Sequence, residues 1–207
     1  MQTALIVLAA YILGSVSFAI VVSRVLALPD PRSFGSKNPG ATNVLRTGSR
    51  LAAVLTLIGD AGKGWLAVWL ASRIADGPAA IGLVAPLAGL AAFAGHLFPV
   101  FHRFHGGKGV ATAAGVLVGL DIWLGLATLA TWTAIVIFFR ISSLAALAAA
   151  LFAPFYAWWL FGLRPVLPVV CLIALLLAWR HRANIGRLLA GTEPRIGAKR
   201  GAAPPAA

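Results

Sequence analysis

The chain opens on a run of 19 residues without a charge, Ala4–Val22, and comparable runs recur almost to its end. About 20 apolar residues make a helix long enough to cross a bilayer. Charged residues are 11% of the 207, and apolar ones 60%; a typical soluble domain carries about 25% charge. So few charges cannot cover a surface facing water. The sequence therefore reads as an all-α integral membrane protein, with lipid over most of its surface.

The spans follow from the apolar runs. The first extends from Ala4 to about Leu26; Met1-Gln2-Thr3 supplies no basic residue ahead of it, so it reads as a span and not as a cleaved signal peptide. Leu51–Ser72 is the second, interrupted by Asp60 and Lys63, and Ala79–Phe101 the third. The run Val110–Phe139 would be about 45 Å long as one helix, and Asp121 would then lie deep in lipid. It divides into a short helix, Val110–Leu120, and a full span, Ile122–Phe139. Ser143–Phe161 and Pro165–Trp179 complete seven transmembrane helices, the fourth one short.

Charge placement supports that count. With seven spans, Arg24, Arg32, Lys37, Arg46, Arg50, Arg103, Lys108, Arg140, Arg180, Arg182, Arg187, Arg195, Lys199 and Arg200 share one face, and only Arg73 and Arg164 lie opposite. Basic loops stay in the cytoplasm, so the N-terminus is expected outside and the C-terminus inside. Residues 1–193 form a single transmembrane domain, and 194–207 a basic, then Ala/Pro-rich tail. No internal repeat is visible.

Other classes fall away on composition. Cys171 is the lone cysteine, which excludes an intramolecular disulfide and a Cys-based zinc site. Seventeen Lys and Arg face five acids, for a net charge of +12. In a soluble protein that balance would suggest nucleic acid. In a membrane protein it points to positive-inside loops and to an anionic substrate, and no nucleic-acid partner is expected.

Three polar segments fall on the basic face. Gly35-Ser36-Lys37-Asn38-Pro39-Gly40-Ala41-Thr42-Asn43-Val44-Leu45-Arg46 concentrates hydroxyl and amide donors around a guanidinium, as a tetrahedral phosphate requires. An ordinary loop resting on anionic headgroups would look similar. Gly59-Asp60-Ala61-Gly62-Lys63-Gly64 is not a Walker A loop, since Gly64 stands where Ser or Thr is needed. Its Asp60 and Lys63 are three apart and can pair along one helix face, and its glycines suit close helix packing. Gly95-His96-Leu97-Phe98-Pro99-Val100-Phe101 leads to His105-Gly106-Gly107-Lys108-Gly109, which opens a helix and reads as an anion cradle of bare amides, lysine and positive helix end. His102 and His105 lack acidic or Cys partners nearby in sequence, so no metal site is expected. Beyond the last span, His181 and Asn184 share a helical face.

Together these segments resemble the bacterial acyl-phosphate:glycerol-3-phosphate acyltransferase family. The resemblance rests on Gly14-Ser15, the Gly35–Arg46 and Gly59–Gly64 segments, Gly95–Thr112, and His181…Asn184-Ile185-Gly186-Arg187-Leu188-Leu189-Ala190-Gly191-Thr192-Glu193. It covers most of the chain, in order. Lys37 beside Ser36, and the long Ala/Pro tail after Glu193, depart from the pattern without touching the proposed chemistry.

The resemblance implies a seven-span enzyme of the bacterial inner membrane with its site facing the cytoplasm. It would move a fatty acyl group from acyl phosphate to the 1-hydroxyl of sn-glycerol 3-phosphate, giving lysophosphatidate and phosphate, the first acylation of phospholipid synthesis. It implies Ser36, Arg46, Lys108, His181 and Asn184 as the catalytic set. Gly35, Gly40, Thr42, Asn43, His96, Gly106, Gly107 and Ser143 (or its neighbour Ser142) join these as substrate-binding residues. The partners expected are the two substrates and membrane lipid, with other phospholipid-synthesis enzymes as candidates. No cofactor and no metal are expected.

The chemistry reads consistently from the residues alone. No His is followed five residues later by Asp, so no local dyad is encoded to deprotonate an acceptor. No Gly-x-Ser-x-Gly elbow is present, which argues against an acyl-serine intermediate. An acyl phosphate is already activated, and positioning can supply up to about 7–11 kcal/mol in ideal cases. Direct, substrate-assisted transfer follows. The alternatives are a transporter or channel for an anionic solute, and a metal-dependent phosphotransferase. The first is disfavoured by polar motifs gathered on one face, the second by dispersed aspartates.

Overall fold

The structure is a computed structural model that describes residues 1–197. Lys199, Arg200 and the Ala/Pro-rich end of the tail lie outside the described residues. The helices are α1 (Gln2–Gly14), α2 (Phe18–Val25), α3 (Ala41–Val44), α4 (Arg50–Ile74), α5 (Gly77–Leu97), α6 (Val110–Leu120), α7 (Ile122–Phe139), α8 (Ser142–Phe161), α9 (Val166–Arg180) and α10 (Arg182–Leu189). No strand occurs among the described residues. Four helices are long and apolar enough to cross a membrane, and up to six spans result if each of two bent pairs counts as one.

The division of Val110–Phe139 lies where the acid requires it. Asp121 has extended backbone, and its carboxylate accepts hydrogen bonds from the amides of Trp123 and Leu124 at 2.8 and 2.9 Å. It caps α7, satisfying amides that the first turn leaves without partners.

The first apolar run behaves differently from its expectation as one continuous span. It breaks after Gly14, and α1 and α2 are bent by 42°. Tertiary contacts hold the break. A Cβ on Gly14 would overlap the Ala92 carbonyl, so α1 meets α5 backbone to backbone. Ser15 Oγ donates to the Tyr11 carbonyl and accepts from the Val100 amide, while Lys63 Nζ takes the Val16 carbonyl. At the other end of the chain α9 runs on to Arg180, and the chain then turns 62° into α10.

Small residues set the packing. α4 lies along α6, where a side chain on Gly115 would strike the Ala61 carbonyl and one on Gly64 the Thr112 carbonyl. Such close approach lets helices associate in lipid by dispersion and shape, where no hydrophobic drive exists between them. The interior is filled by Val68, Ala88, Phe93, Leu97, Val116 and Ile173. Large apolar side chains such as Ile58, Trp123, Phe138, Leu151 and Leu175 point outward, as a lipid-facing surface requires.

Candidate active site

The first long loop is organised by one buried amide. Asn43, on α3, donates from Nδ2 to the carbonyls of Pro31 (2.7 Å) and Phe34 (3.2 Å), and its Oδ1 accepts from the Ser36 amide at 3.0 Å. Asn43 therefore shapes the loop and has no side-chain donor left for a ligand. Gly35 has φ +58°, and a side chain there would meet Asn43 Oδ1 and the Arg46 guanidinium. Glycine both permits this turn and lets Arg46 lie against it. Gly40 supplies the extended residue ahead of α3. The side chains of Ser36, Thr42 and Arg46 remain exposed.

The glycine loop before α6 is tied down by its neighbours. The Gly106 and Gly107 amides donate to the Leu97 and His96 carbonyls at 3.2 and 3.1 Å. Arg180 holds the other side, donating from Nη2 to the Gly106 carbonyl at 2.7 Å and from Nε to the Gly107 carbonyl at 3.1 Å. This corrects the expectation of bare amides at Gly106 and Gly107. Both positions are glycine because a Cβ would overlap the His96 carbonyl at Gly106 and the His96 ring at Gly107. The loop's working group is the half-buried Lys108, placed at the positive end of α6.

Lys108 faces α10. Its Nζ donates to Asn184 Oδ1 at 2.5 Å, and Asn184 Nδ2 donates to Glu193 Oε1 at 2.5 Å. A lysine can only donate and a carboxylate can only accept, which fixes the amide's orientation. Ser143 Oγ, at the start of α8, donates to the same Oε1 at 2.6 Å, and Arg187 Nε reaches Oε2 at 2.7 Å. Burial alone would raise the Glu193 carboxyl, but the hydrogen bonds from Ser143, Asn184 and Arg187 outweigh it and hold the group below its usual range. Burial pushes the Lys108 ammonium down to about 8; Glu193 opposes that shift, while Arg187, Arg180 and Arg46 reinforce it. Arg46 is thus close enough to weaken the charged form of Lys108.

His181 is buried at the turn between α9 and α10, and its Nδ1 lies 2.8 Å from the Leu177 carbonyl. Burial pushes the His181 ring down to about 4, so it is neutral near pH 7; a carbonyl only accepts, which places its one proton on Nδ1 and a lone pair on Nε2. Of the expected residues, Lys108, Ser143 and Asn184 form one hydrogen-bonded network, with Arg46 nearby. His96 does not join it: the ring lies behind the glycine loop against Lys63. Between the two serines, Ser143 is the one bonded to Glu193. Sequence reasoning left Glu193, Arg180 and Arg187 out of the expected site, although Arg187 stands beside Asn184 in the last motif. Glu193 had a signal, as the chain's sole glutamate at the end of a recognisable motif. Among the described residues no three His, Cys, Asp or Glu side chains gather where they could hold a metal ion.

Comparison with known proteins follows the same lines. Residues 4–191 match the family described as glycerol-3-phosphate acyltransferase. A glycerol-3-phosphate acyltransferase of Ralstonia nicotianae is 61% identical over 198 residues, covering 96% of each chain. Its counterpart from Burkholderia pseudomallei is 60% identical over 202 residues, covering 97% of this chain and 98% of its own. The crystal structure of PlsY, an integral membrane glycerol 3-phosphate acyltransferase, in its glycerol 3-phosphate form superposes with a TM-score of 0.88 at 35% identity, covering 95% of this chain and 96% of that one. Its lysophosphatidic acid form gives 0.86. With residues 4–191 matched and relatives this similar over nearly their whole length, the chain belongs to the glycerol-3-phosphate acyltransferase family.

Proposed function

We propose that the protein transfers a fatty acyl group from acyl phosphate to the 1-hydroxyl of sn-glycerol 3-phosphate, releasing lysophosphatidate and inorganic phosphate. The observation that carries this is the Lys108–Asn184–Glu193–Ser143 network, which holds a lysine within the electrostatic influence of Arg46. Glu193 is committed to Ser143, Asn184 and Arg187, so the cations have capacity left for phosphate. Ser36 and Thr42 add hydroxyl donors from the opposite loop.

The step is direct. The acceptor hydroxyl oxygen bonds to the acyl carbon, and the bond from that carbon to the bridging phosphate oxygen breaks. The hydroxyl proton passes to the departing phosphate. Arg46 and Lys108 hold the charge that develops on that phosphate and on the carbonyl oxygen. His181 orients the acceptor through Nε2, beside Asn184. Purified protein in lipid, given palmitoyl phosphate and glycerol 3-phosphate, should release phosphate and form lysophosphatidate. Comparable turnover with acyl-CoA, free of any phosphate-forming enzyme, would reject the acyl-phosphate assignment.

The pH dependence follows from Lys108. Its ammonium is charged below about 8 and loses its proton above that value. Phosphate binding needs the charged form, so kcat/KM should fall as pH rises through about 8; kcat/KM reports groups of the free enzyme. A profile flat to well above this range would remove Lys108 from the binding step.

We assign seven spans to the membrane, counting α1 with α2 as one and α6 as short, with the N-terminus outside and the site on the cytoplasmic side of the bacterial inner membrane. The basic face supports this. In intact cells, a membrane-impermeant thiol reagent should label a cysteine placed at 76 and spare one at 37 or 195. Labelling at 195 would reverse the topology.

A further inference from the structure

A buried charged cluster lies behind the glycine loop and takes no part in the mechanism above. Asp60 and Lys63, one turn apart on α4, are 2% and 3% exposed, and their side chains pair at 2.9 Å. Lys63 Nζ also donates to the Val16 carbonyl at 2.6 Å and stands 3.0 Å from Nδ1 of His96 on α5. An ammonium has three protons and no lone pair. It donates to the Val16 carbonyl and to Nδ1 of His96, while the Asp60 carboxylate balances its charge.

That count decides the state of His96. Nδ1 carries a lone pair, and the ring proton is on Nε2. The other arrangement would need Nδ1–H to reach the Asp60 carboxylate, which at 3.5 Å is too far for a good hydrogen bond. A fully protonated ring would set an N–H against the ammonium and leave a net positive charge inside the membrane, which is costly. With His96 neutral the cluster sums to zero.

Nε2 points toward Gly107. A side chain there would overlap it, with the Pro39 carbonyl oxygen 3.0 Å from the same Cβ position. The only side-chain hydrogen bond of His96 among the described residues is the one at Nδ1. Ser17, Pro39, His96, His102, Gly106 and Gly107 line one small polar cleft, and the buried Ser17 Oγ in it also has no partner. Two donors thus lie along a narrow, closed seam between the glycine loop and the first long loop.

The geometry points to Lys63, braced by Asp60, as a positioning residue that fixes His96 in its Nε2–H form and makes it a donor to a phosphate oxygen entering this cleft. Lys63 acts through the His96 ring, although it also borders the cleft. The inference rests on the phosphate-transfer reading above and adds a donor that lies outside the Lys108 network. The oxygen could come from acyl phosphate or from glycerol 3-phosphate; the chemistry recognised is the same.

The test begins with the full-length wild-type protein, 15N-labelled at histidine and held in lipid nanodiscs. The His96 signals are those missing from His96→Gln. The expected spectrum has a pyridine-like Nδ1 and a pyrrole-like Nε2. A proton on Nδ1, or an imidazolium near neutral pH, would overturn the inference without any variant being needed. The second arm is the double substitution Asp60→Leu with Lys63→Met, since apolar replacement of a buried ion pair commonly preserves folding. Losing an oriented donor to an anion should lower kcat/KM by about tenfold. A rise in KM for glycerol 3-phosphate alone places the acceptor's phosphate in the cleft, and a rise for palmitoyl phosphate alone places the donor's. A folded double variant with both KM values unchanged would overturn the inference. Correct His96 signals in a protein that transfers no acyl group would instead reject the function proposed above.

Discussion

Lys108→Ala is expected to reduce kcat/KM by about a hundredfold or more, as does loss of a charge-stabilising donor in an enclosed site. Two losses combine. The phosphate loses a charge-assisted contact worth about 1.5–3 kcal/mol, and Asn184 Oδ1 loses the donor that it now receives at 2.5 Å. Arg46→Ala should be similarly damaging, because Arg46 is the second cation that we propose holds the phosphate. Arg46→Lys should recover little, since a point charge does not reproduce a planar fork. The measurement is phosphate release by each purified variant, with folding checked by thermal unfolding in the same detergent. A folded alanine variant that keeps most of its activity would take that residue out of the site.

Gly115→Val should prevent the bundle from assembling in its present form. The added side chain would run into the Ala61 carbonyl, part of a helix backbone that has no rotamer to change. Overpacking a tight interior costs about 1–3 kcal/mol and sometimes more, and here α4 and α6 must separate along their whole contact. Folded yield and thermal midpoint should both fall sharply. Gly62→Ala is the control. It lies on the same α4, and a Cβ there meets nothing within 4 Å. A helix gains roughly 0.5–1 kcal/mol when Ala replaces Gly, so this variant should be at least as stable as the parent. Equal stability of Gly115→Val and wild type would mean that α4 and α6 do not meet as described.

The sequence was most informative where lipid leaves few choices. Asp121 could not remain in the middle of a span, so length and charge together located the α6–α7 break, and the carboxylate cap explains its register. The paired Asp60 and Lys63 were legible from their spacing. The break at Ser15–Ser17 was not, because each of those residues is compatible with an apolar helix; contacts from Ala92, Val100 and Lys63, all distant in sequence, decide it. The same holds for Gly106 and Gly107. Their composition suggests free amides, but whether an amide is free depends on the carbonyls folded against it. Asn43 read as a ligand donor and spends its side chain on its own loop. Glu193 read as the edge of a tail, and only the turn into α10 brings it to Ser143 and Asn184.

The shortness of α6 also fixes a depth. α6 has 11 residues and α7 has 18, and the two meet at Asp121. The seven-residue difference corresponds to about 10 Å along the helix axes at 1.5 Å per residue. With α6 and α7 running antiparallel across the membrane, as proposed above, the start of α6 beside Lys108 would sit about 10 Å below the level at which α7 ends near Arg140. On the proposed topology the reaction would take place at the bottom of a well sunk into one leaflet. An acyl donor dissolved in that leaflet can slide in sideways with its carbonyl already close to the right level. A polar acceptor has to descend from water past the rim of cations, and the product, once acylated, can leave through the wall it came to share.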